Sequence, residues 1–220
     1  MSAPRRRADP ENAIGRPTIL FDKDGTLIED VPYNVDPERI RLAPGARPAL
    51  RRLADAGFAA AVVTNQTGVA RGFFTLRDLD GVRDRMMALL GEQGVELRGF
   101  YACPHFPMGT VAEFAIACDC RKPGGGLVRR AIAELGLVAS ETWVVGDSWA
   151  DVAAGRSAGC RTVLVGPEWR LGAYLPPGRR PEVALPDLAA GIDAILRDHA
   201  ARASRDGAGA SEPEGALTQA

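Results

Sequence analysis

The sequence contains 220 residues, of which 46% are hydrophobic and 25% are charged, and its formal net charge is −1. This length and composition suit one globular domain with a single core. The near-neutral charge provides no basic field that would attract nucleic acid or anionic lipid. No apolar stretch approaches the roughly 20 residues that cross a bilayer, and the Arg- and Pro-rich start is unlike a secretory signal. We therefore expect a cytoplasmic protein that has neither nucleic acid nor a membrane as its partner.

Both ends of the chain have compositions typical of disorder. Residues 1–14 carry Arg, Asp and Pro, and residues 202–220 are mostly Gly, Ala, Ser and Glu. Neither segment can bury enough apolar surface to offset the entropy lost on ordering. One folded domain is thus predicted over residues 15–201, with a disordered tail on each side.

Within this domain, short apolar runs alternate with helical patterns. Strands are predicted, in chain order, over residues 18–21, 59–63, 99–103, 142–145 and 162–165. Helices are predicted over residues 44–55, 75–89, 127–135, 151–158 and 188–199. Continuous apolar strands separated by helices indicate a parallel sheet covered on both faces. The predicted fold class is therefore α/β, a doubly wound, Rossmann-like parallel sheet of about five strands.

Three of the predicted strands are followed directly by polar residues. Asp22 and Asp24 follow the first strand, Thr64 and Asn65 the second, and Asp147 the fourth. In sheets of this kind, ligands bind at the carboxyl ends of the strands. A doubly wound fold would therefore bring these side chains together.

Two aspartates separated by one residue, in a loop that continues into Gly25 and Thr26, suit phosphoryl transfer. Asp22 can attack phosphorus as a nucleophile. Asp24 can protonate the leaving oxygen and then activate a water molecule. The alternative interpretation is an ordinary turn. The motifs Val-Val-Thr-Asn, Arg-Lys-Pro and Val-Val-Gly-Asp, which follow in order, favour the catalytic one.

A carboxylate cluster next to a phosphate dianion requires a cation. Mg²⁺ takes hard oxygen ligands, which Asp22, Asp147 and one backbone carbonyl would provide. Lys122 and Thr64 would neutralise and orient the phosphoryl oxygens. Asp151, four residues after Asp147, either supports this loop or lies on a solvated helix face.

Three of the four cysteines are grouped with a histidine in the segment 103–120. Cys103, His105, Cys118 and Cys120 supply a Cys₃His set, which is common for tetrahedral zinc and leaves no open coordination position. We therefore expect a small structural zinc loop in a protein of a reducing compartment. The alternative is a chance grouping, against which the Cys-x-His and Cys-x-Cys pairs argue.

Taken together, these motifs resemble the haloacid dehalogenase (HAD) superfamily of phosphatases over roughly residues 19–165. The resemblance implies one role for each motif residue: Asp22 as nucleophile, Asp24 as general acid/base and metal ligand through its carbonyl, Thr64 as phosphate ligand, Lys122 as phosphoryl stabiliser and Asp147 as magnesium ligand. Lys23, where Arg is commoner, is expected to point away from phosphorus and to have little consequence.

The cysteine–histidine cluster before Arg-Lys-Pro is similar to the zinc-containing histidinol-phosphatase and heptose-bisphosphatase branch of this superfamily. Supporting motifs lie at residues 30–33, 64–72 and 103–105. The resemblance implies loss of the 7-phosphate from D-glycero-D-manno-heptose 1,7-bisphosphate, with substrate contacts at Asp30, Tyr33, Asn65, Gln66, Thr67 and Arg121. A guanidinium such as that of Arg121 can also bind a second phosphate bidentately. Ser148, where relatives often have Lys, and the glycines 124–126 leave the sugar open.

Three other functions remain open from the sequence. The substrate could be histidinol phosphate or another small sugar phosphate, or the domain could be a zinc-stabilised binding module without catalysis. The phosphoryl group could also pass to an acceptor other than water. Short insertions between the motifs predict no large cap domain and a site open to water, which favours hydrolysis. A monomer is expected.

Overall fold

The computed structural model describes residues 16–167 and 181–209. The predicted tail over residues 1–14 and the end of the chain beyond residue 209 lie outside the described residues. The described ranges form a six-stranded sheet in the order β3-β2-β1-β4-β5-β6, in which every neighbouring pair is parallel. The strands are β1 Thr18–Phe21, β2 Ala59–Asn65, β3 Leu97–Cys103, β4 Trp143–Gly146, β5 Arg161–Val165 and β6 Val183–Leu185.

The first five strands confirm the predicted sheet, and β6 adds one strand at its edge. Val183–Leu185 is too short to show a periodic pattern, so the sequence did not predict it. Its strand conformation depends on pairing with β5, where Leu164 lies opposite Ala184. The sheet is thus one strand wider than expected, with the same topology.

Five α-helices and two short 3-10 helices complete the described fold. The α-helices are α1 Ala46–Asp55, α2 Asp78–Gly91, α3 Gly126–Leu135, α4 Trp149–Ser157 and α5 Leu188–Gly209, and the 3-10 helices are Pro37–Arg39 and Ala139–Glu141. The last α-helix continues past its predicted end at residue 199. Across the described ranges, no helix combines the length and apolarity that a membrane span needs.

The helices cover both faces of the sheet, as the continuous apolar strands predicted. Ile19 and Phe21 of β1 lie in one core with α1, α2 and α5, whereas Leu20 lies in a second core with α3 and α4. This division follows from the twofold alternation of side chains along a strand. Because both faces are occupied, polar chemistry is confined to the edge where the strands end.

The strand order reverses on either side of β1, which has β2 on one flank and β4 on the other. In open α/β sheets, the crevice outside the carboxyl ends of strands at such a reversal is the usual ligand site. No separate domain among the described residues covers this edge, and the longest excursions near it are the connections from β1 to α1 and from β3 to α3. The predicted absence of a large cap agrees with this architecture.

Candidate active site

Asp22 directly follows β1 and is fixed to the neighbouring strand, because its N–H donates to the carbonyl of Val145 at 2.8 Å. The carboxylates of Asp22, Asp147 and Asp151 each offer an oxygen, and these oxygens lie within 4.8 Å of one another. The predicted convergence of Asp22 and Asp147 is thus observed. Asp151 joins them from the first turn of α4, which the sequence left undecided.

Asp151 is buried, with 1% of its surface exposed, so it does not lie on a solvated helix face. Its Oδ2 accepts hydrogen bonds from the backbone N–H of Ser148 at 3.1 Å and from the Ser148 hydroxyl at 2.5 Å. This capping arrangement at the start of α4 turns the carboxylate back toward the strand ends. The spacing of four residues after Asp147 was the only sequence signal for it.

Lys122 connects two of these carboxylates. Its Nζ lies 2.6 Å from Oδ1 of Asp22 and 2.5 Å from Oδ1 of Asp151, and it donates to the carbonyl of Val63 at 2.8 Å. Burial alone would lower the pKa of Lys122, but Asp151 and Asp22 outweigh this effect and raise the pKa above its ordinary value. Lys122 therefore carries a positive charge directly beside Asp22, the predicted nucleophile.

The acidic cluster has the properties of a magnesium site. Burial, together with the nearby carboxylate of Asp151, raises the pKa of Asp22 to about 7 against the opposing effect of Lys122. Three carboxylates around one ammonium leave an excess of negative charge, which a divalent cation with oxygen ligands would neutralise. Gly25, at φ 74°, brings its backbone so close that a Cβ would lie 2.5 Å from Oδ2 of Asp147. This donor set fits Mg²⁺.

Donors from two different loops hold the carboxylate of Asp24. Lys23 Nζ donates to Oδ1 at 2.6 Å, and Gln66 Nε2 donates to Oδ2 at 3.1 Å. Gln66 Nε2 also lies 2.9 Å from the hydroxyl oxygen of Thr64, so it links the predicted acid/base to the predicted phosphate ligand. The expectation that Lys23 has little consequence missed this ion pair.

Asn65, predicted as a substrate contact, makes two hydrogen bonds to the backbone of Lys122. Its Nδ2 donates to the Lys122 carbonyl, and its Oδ1 accepts from the Lys122 N–H, each at 3.0 Å. Because β2 and the Arg-Lys-Pro segment are far apart in sequence, this pairing could not be predicted. Asn65 therefore fixes the backbone from which the Lys122 side chain extends.

Aromatic and basic side chains in the loops that follow β1, β2 and β3 contact one another. Tyr33, which is 49% exposed, packs edge-to-face against Phe73 with ring centroids 4.6 Å apart. The guanidinium carbons of Arg71 and Arg121 lie 4.3 and 5.3 Å from the ring centroid of Phe106. Of these five residues, only Tyr33 and Arg121 were predicted as substrate contacts.

The other predicted substrate contacts differ in accessibility. Asp30 is exposed in the loop after β1, and Thr67 is half-buried in the loop after β2. Gln66 is buried and is engaged with Asp24 and Thr64. The structure thus leaves Asp30, Thr67, Tyr33 and Arg121 accessible, and it gives Asn65 and Gln66 contacts within the protein.

The cysteine–histidine cluster is assembled at the end of β3. The Sγ atoms of Cys103, Cys118 and Cys120 are 3.2–3.7 Å apart, and Nδ1 of His105 lies 3.2 Å from the sulfur of Cys120. No disulfide joins these cysteines. Thiolates bound tetrahedrally to one zinc ion at their usual bond length are about 3.8 Å apart. The donor set therefore fits a zinc ion, and none of its sulfur atoms is taken up in a disulfide.

The loop that carries these ligands is attached to the segment after β2. The backbone N–H groups of Thr110 and Val111 donate to the carbonyl of Ala70 at 2.8 and 2.9 Å. A Cβ at Gly109 would lie 2.5 Å from the same carbonyl, so glycine permits this close approach. The loop then continues into Arg121 and Lys122, so the cysteine–histidine cluster lies directly before two predicted site residues.

Comparisons with known proteins agree with this geometry. A family model described as HAD-hydrolase-like matches residues 119–191. D-glycero-beta-D-manno-heptose-1,7-bisphosphate 7-phosphatase from Yersinia pestis is 39% identical over 149 residues, which cover 68% of this chain and 79% of that protein. The protein of the same name from Haemophilus ducreyi is 37% identical over 153 residues, covering 69% and 84%.

A solved structure shows the same fold. D,D-heptose 1,7-bisphosphate phosphatase from B. bronchiseptica, complexed with magnesium and phosphate, matches with a TM-score of 0.70 and 31% identity, covering 83% of this chain and 99% of that chain. The predicted α/β fold, superfamily and enzyme class are thereby confirmed. The chain belongs to the heptose-bisphosphate phosphatase family of the haloacid dehalogenase superfamily, and it is a phosphatase.

Proposed function

We propose that this phosphatase removes the 7-phosphate of D-glycero-D-manno-heptose 1,7-bisphosphate through an aspartyl-phosphate. The observation that carries the proposal is the buried ammonium of Lys122, held between Asp22 and Asp151 at the end of β1. A buried cation directly beside a carboxylate nucleophile is suited to binding the oxygens of a transferring phosphoryl group. The names of the relatives support the choice of sugar.

In the first step, a carboxylate oxygen of Asp22 attacks phosphorus, and the bond from phosphorus to the sugar oxygen breaks. Asp24 gives its proton to that oxygen, so the sugar leaves as an alcohol. Lys122 and the hydroxyl of Thr64 hold the phosphoryl oxygens during the transfer. Bound Mg²⁺, held by Asp22, Asp147 and the carbonyl of Asp24, supplies positive charge that offsets the phosphate dianion.

In the second step, water hydrolyses the aspartyl-phosphate. Asp24, now ionised, takes a proton from the water, and the water oxygen attacks phosphorus. The bond between phosphorus and the Asp22 oxygen breaks, which regenerates the Asp22 carboxylate and releases inorganic phosphate. The uncapped strand edge supports water as the acceptor, in preference to a second sugar.

Arg121 is the proposed ligand of the second phosphate. Its Nη1 is buried and has no hydrogen-bond partner among the described residues. A buried donor without a partner is costly, so an anion that accepts from it would bind favourably. Because Arg121 directly precedes Lys122, both ends of a bisphosphate would meet a cation on the same segment.

A substrate panel with an Arg121→Met variant tests this assignment. We expect the variant to raise KM for the heptose bisphosphate by about 10- to 100-fold, because a charged hydrogen-bond pair is lost. We expect KM for p-nitrophenyl phosphate, which has one phosphate, to change little. Steady-state phosphate release measures both, with Arg83→Met on the exposed face of helix α2 as the matched control, since Arg83 pairs with Asp80 and Asp84 of its own helix.

The same panel separates the rival substrates. A kcat/KM for histidinol phosphate above that for the heptose bisphosphate would overturn the sugar assignment but leave the phosphatase chemistry intact. If Arg121→Met changed KM equally for the heptose bisphosphate and for p-nitrophenyl phosphate, Arg121 would not be the ligand of the second phosphate. Transfer of phosphate to an added alcohol, in place of water, would instead indicate a phosphotransferase.

We further propose one structural zinc ion, held by Cys103, His105, Cys118 and Cys120. Purified protein should contain about one zinc per chain, measured by inductively coupled plasma mass spectrometry. Cys120→Ser should release that zinc and lower the melting temperature by about 5–10 °C, because the loop loses its cross-link.

Cys160→Ser is the matched control for zinc, since Cys160 is buried in the core against Leu20 and Val144 and is not a member of the cluster. It should keep the metal content unchanged. A Cys120→Ser protein with full zinc content would contradict the assigned ligand set. We also propose that the protein acts in the cytoplasm, where cysteines usually remain outside disulfide bonds, and that it acts as a monomer.

A further inference from the structure

The chain contains two lysines, Lys23 and Lys122, among its 27 cationic Lys and Arg residues. Both are buried, at 2% and 4% exposure, and each ammonium pairs with an aspartate of the first motif. Lys122 pairs with Asp22, and Lys23 pairs with Asp24. In a chain that otherwise uses arginine for positive charge, the compact ammonium of lysine occurs only inside this site.

Hydrogen bonds fix the backbone of the turn that carries Lys23 and Asp24. The N–H groups of Leu27 and Ile28 both donate to the Lys23 carbonyl at 3.1 Å, which closes the turn after the nucleophile. The side chain of Lys23 is buried. Moving its ammonium into water would leave an unfilled space in the protein. A buried ammonium also requires a nearby anion, and the Oδ1 of Asp24 at 2.6 Å provides it.

The carboxylate that Lys23 contacts reaches solvent and has one other side-chain donor. The Asp24 side chain is 31% exposed, so water can reach it. Gln66 fixes its second oxygen at 3.1 Å from the other side of the site. With one donor on each oxygen, both side-chain torsions of Asp24 are set. Proton transfer to or from a reacting oxygen requires such placement, since misplacement by about 1 Å can reduce a rate about 100-fold.

We propose that Lys23 is a positioning residue for the reaction: its buried ammonium holds the Asp24 carboxylate where both proton transfers occur. This inference rests on the proposed function, which assigns those transfers to Asp24. Lys23 itself touches neither the phosphate nor the leaving group. A purely structural role, in which the ion pair only stabilises the turn, is the competing explanation.

A double-mutant cycle distinguishes the two. Lys23→Met keeps most of the side-chain volume and removes the charge, Lys23→Arg keeps the charge, and Asp24→Asn removes the acid/base group. With p-nitrophenyl phosphate as the probe, Lys23→Met should lower kcat by about 10- to 100-fold and change KM less than about threefold. Lys23→Arg should retain more of kcat than Lys23→Met.

The decisive comparison is made in the Asp24→Asn background. If Lys23 acts through Asp24, adding Lys23→Met there should change the residual kcat by less than about twofold, because residues that act as a unit are not additive. The melting temperature should also recover in the double variant relative to Asp24→Asn, because Lys23 no longer carries an unpaired buried charge.

Three results would overturn the proposal. The first is the same proportional loss of kcat in both backgrounds, and the second is a rise in KM with kcat unchanged. The third is a loss of activity that only follows the melting temperature. An Asp24→Asn protein as active as the unchanged one would instead remove the acid/base role, and the proposed mechanism with it. Failure of the heptose assignment alone leaves this cycle intact, because the probe carries no sugar.

Discussion

Asp22→Asn should abolish turnover, with kcat reduced by about 10⁴-fold or more. The amide keeps the shape of the side chain but cannot form the acyl-phosphate bond, and the nearby carboxylate of Asp24 is already held by Lys23 and Gln66. Phosphate release from p-nitrophenyl phosphate measures the loss. Mass spectrometry of acid-quenched protein should find the added phosphoryl group on the unchanged chain and not on the variant.

The variant should remain folded. Burial disfavours the ionised form of Asp22 and raises its pKa to about 7, and Asp151 still pairs with Lys122 in the variant, so removing the Asp22 charge should not lower the melting temperature. Asp55→Asn, at the exposed end of α1, is the matched control and should keep full activity. Turnover within tenfold of the unchanged protein would mean that Asp22 is not the nucleophile.

Lys122→Met should reduce both activity and stability. The carboxylates of Asp22 and Asp151, which are largely buried, would lose their shared cation. Leaving buried charges unpaired costs about 3–5 kcal/mol of unfolding free energy, and kcat should fall by about 1,000-fold because the phosphoryl oxygens lose the same ammonium. Urea unfolding followed by circular dichroism measures the first effect, and steady-state kinetics measures the second.

A surface ion pair provides the comparison for stability. Arg130 and Glu134 form an exposed i,i+4 pair on α3, and such pairs contribute about 0.3–0.5 kcal/mol. Arg130→Met should therefore change the unfolding free energy far less than Lys122→Met. Similar losses in the two variants would show that the Lys122 pairs behave as solvated contacts, contrary to their burial.

Some of the site could be predicted from the sequence because its signals are local. The end of each apolar run marks the end of a strand, and Asp22, Thr64 and Asp147 each follow such an end. Because the carboxyl ends of parallel strands lie at one edge of the sheet, the sequence alone predicts that these three residues share that edge. The proposed zinc ligands are likewise marked by two short pairs, Cys-x-His and Cys-x-Cys. In combination, these motifs were sufficient to predict the superfamily and the class of reaction.

Other features depend on contacts between distant segments. The pairing of Asn65 with the backbone of Lys122 joins residues 57 positions apart, and Gln66 reaches Asp24 across 42. The hydrophobic periodicity of the sequence does not predict which polar side chains of distant segments will contact one another. The short strand β6 is similar, because three residues have no pattern of their own and adopt a strand only beside β5.

The sequence by itself thus predicted five of the six strands, the order of the motifs and a set of candidate metal-binding residues, because each of these has a local signal in neighbouring residues. The tertiary structure decided how the charges are paired. In the folded protein Asp151 is buried, Lys122 lies between the carboxylates of Asp22 and Asp151, and Lys23 forms an ion pair with Asp24. The physical reason is that the protonation and position of a buried ionisable group depend on its neighbours in space, and folding alone brings those neighbours together.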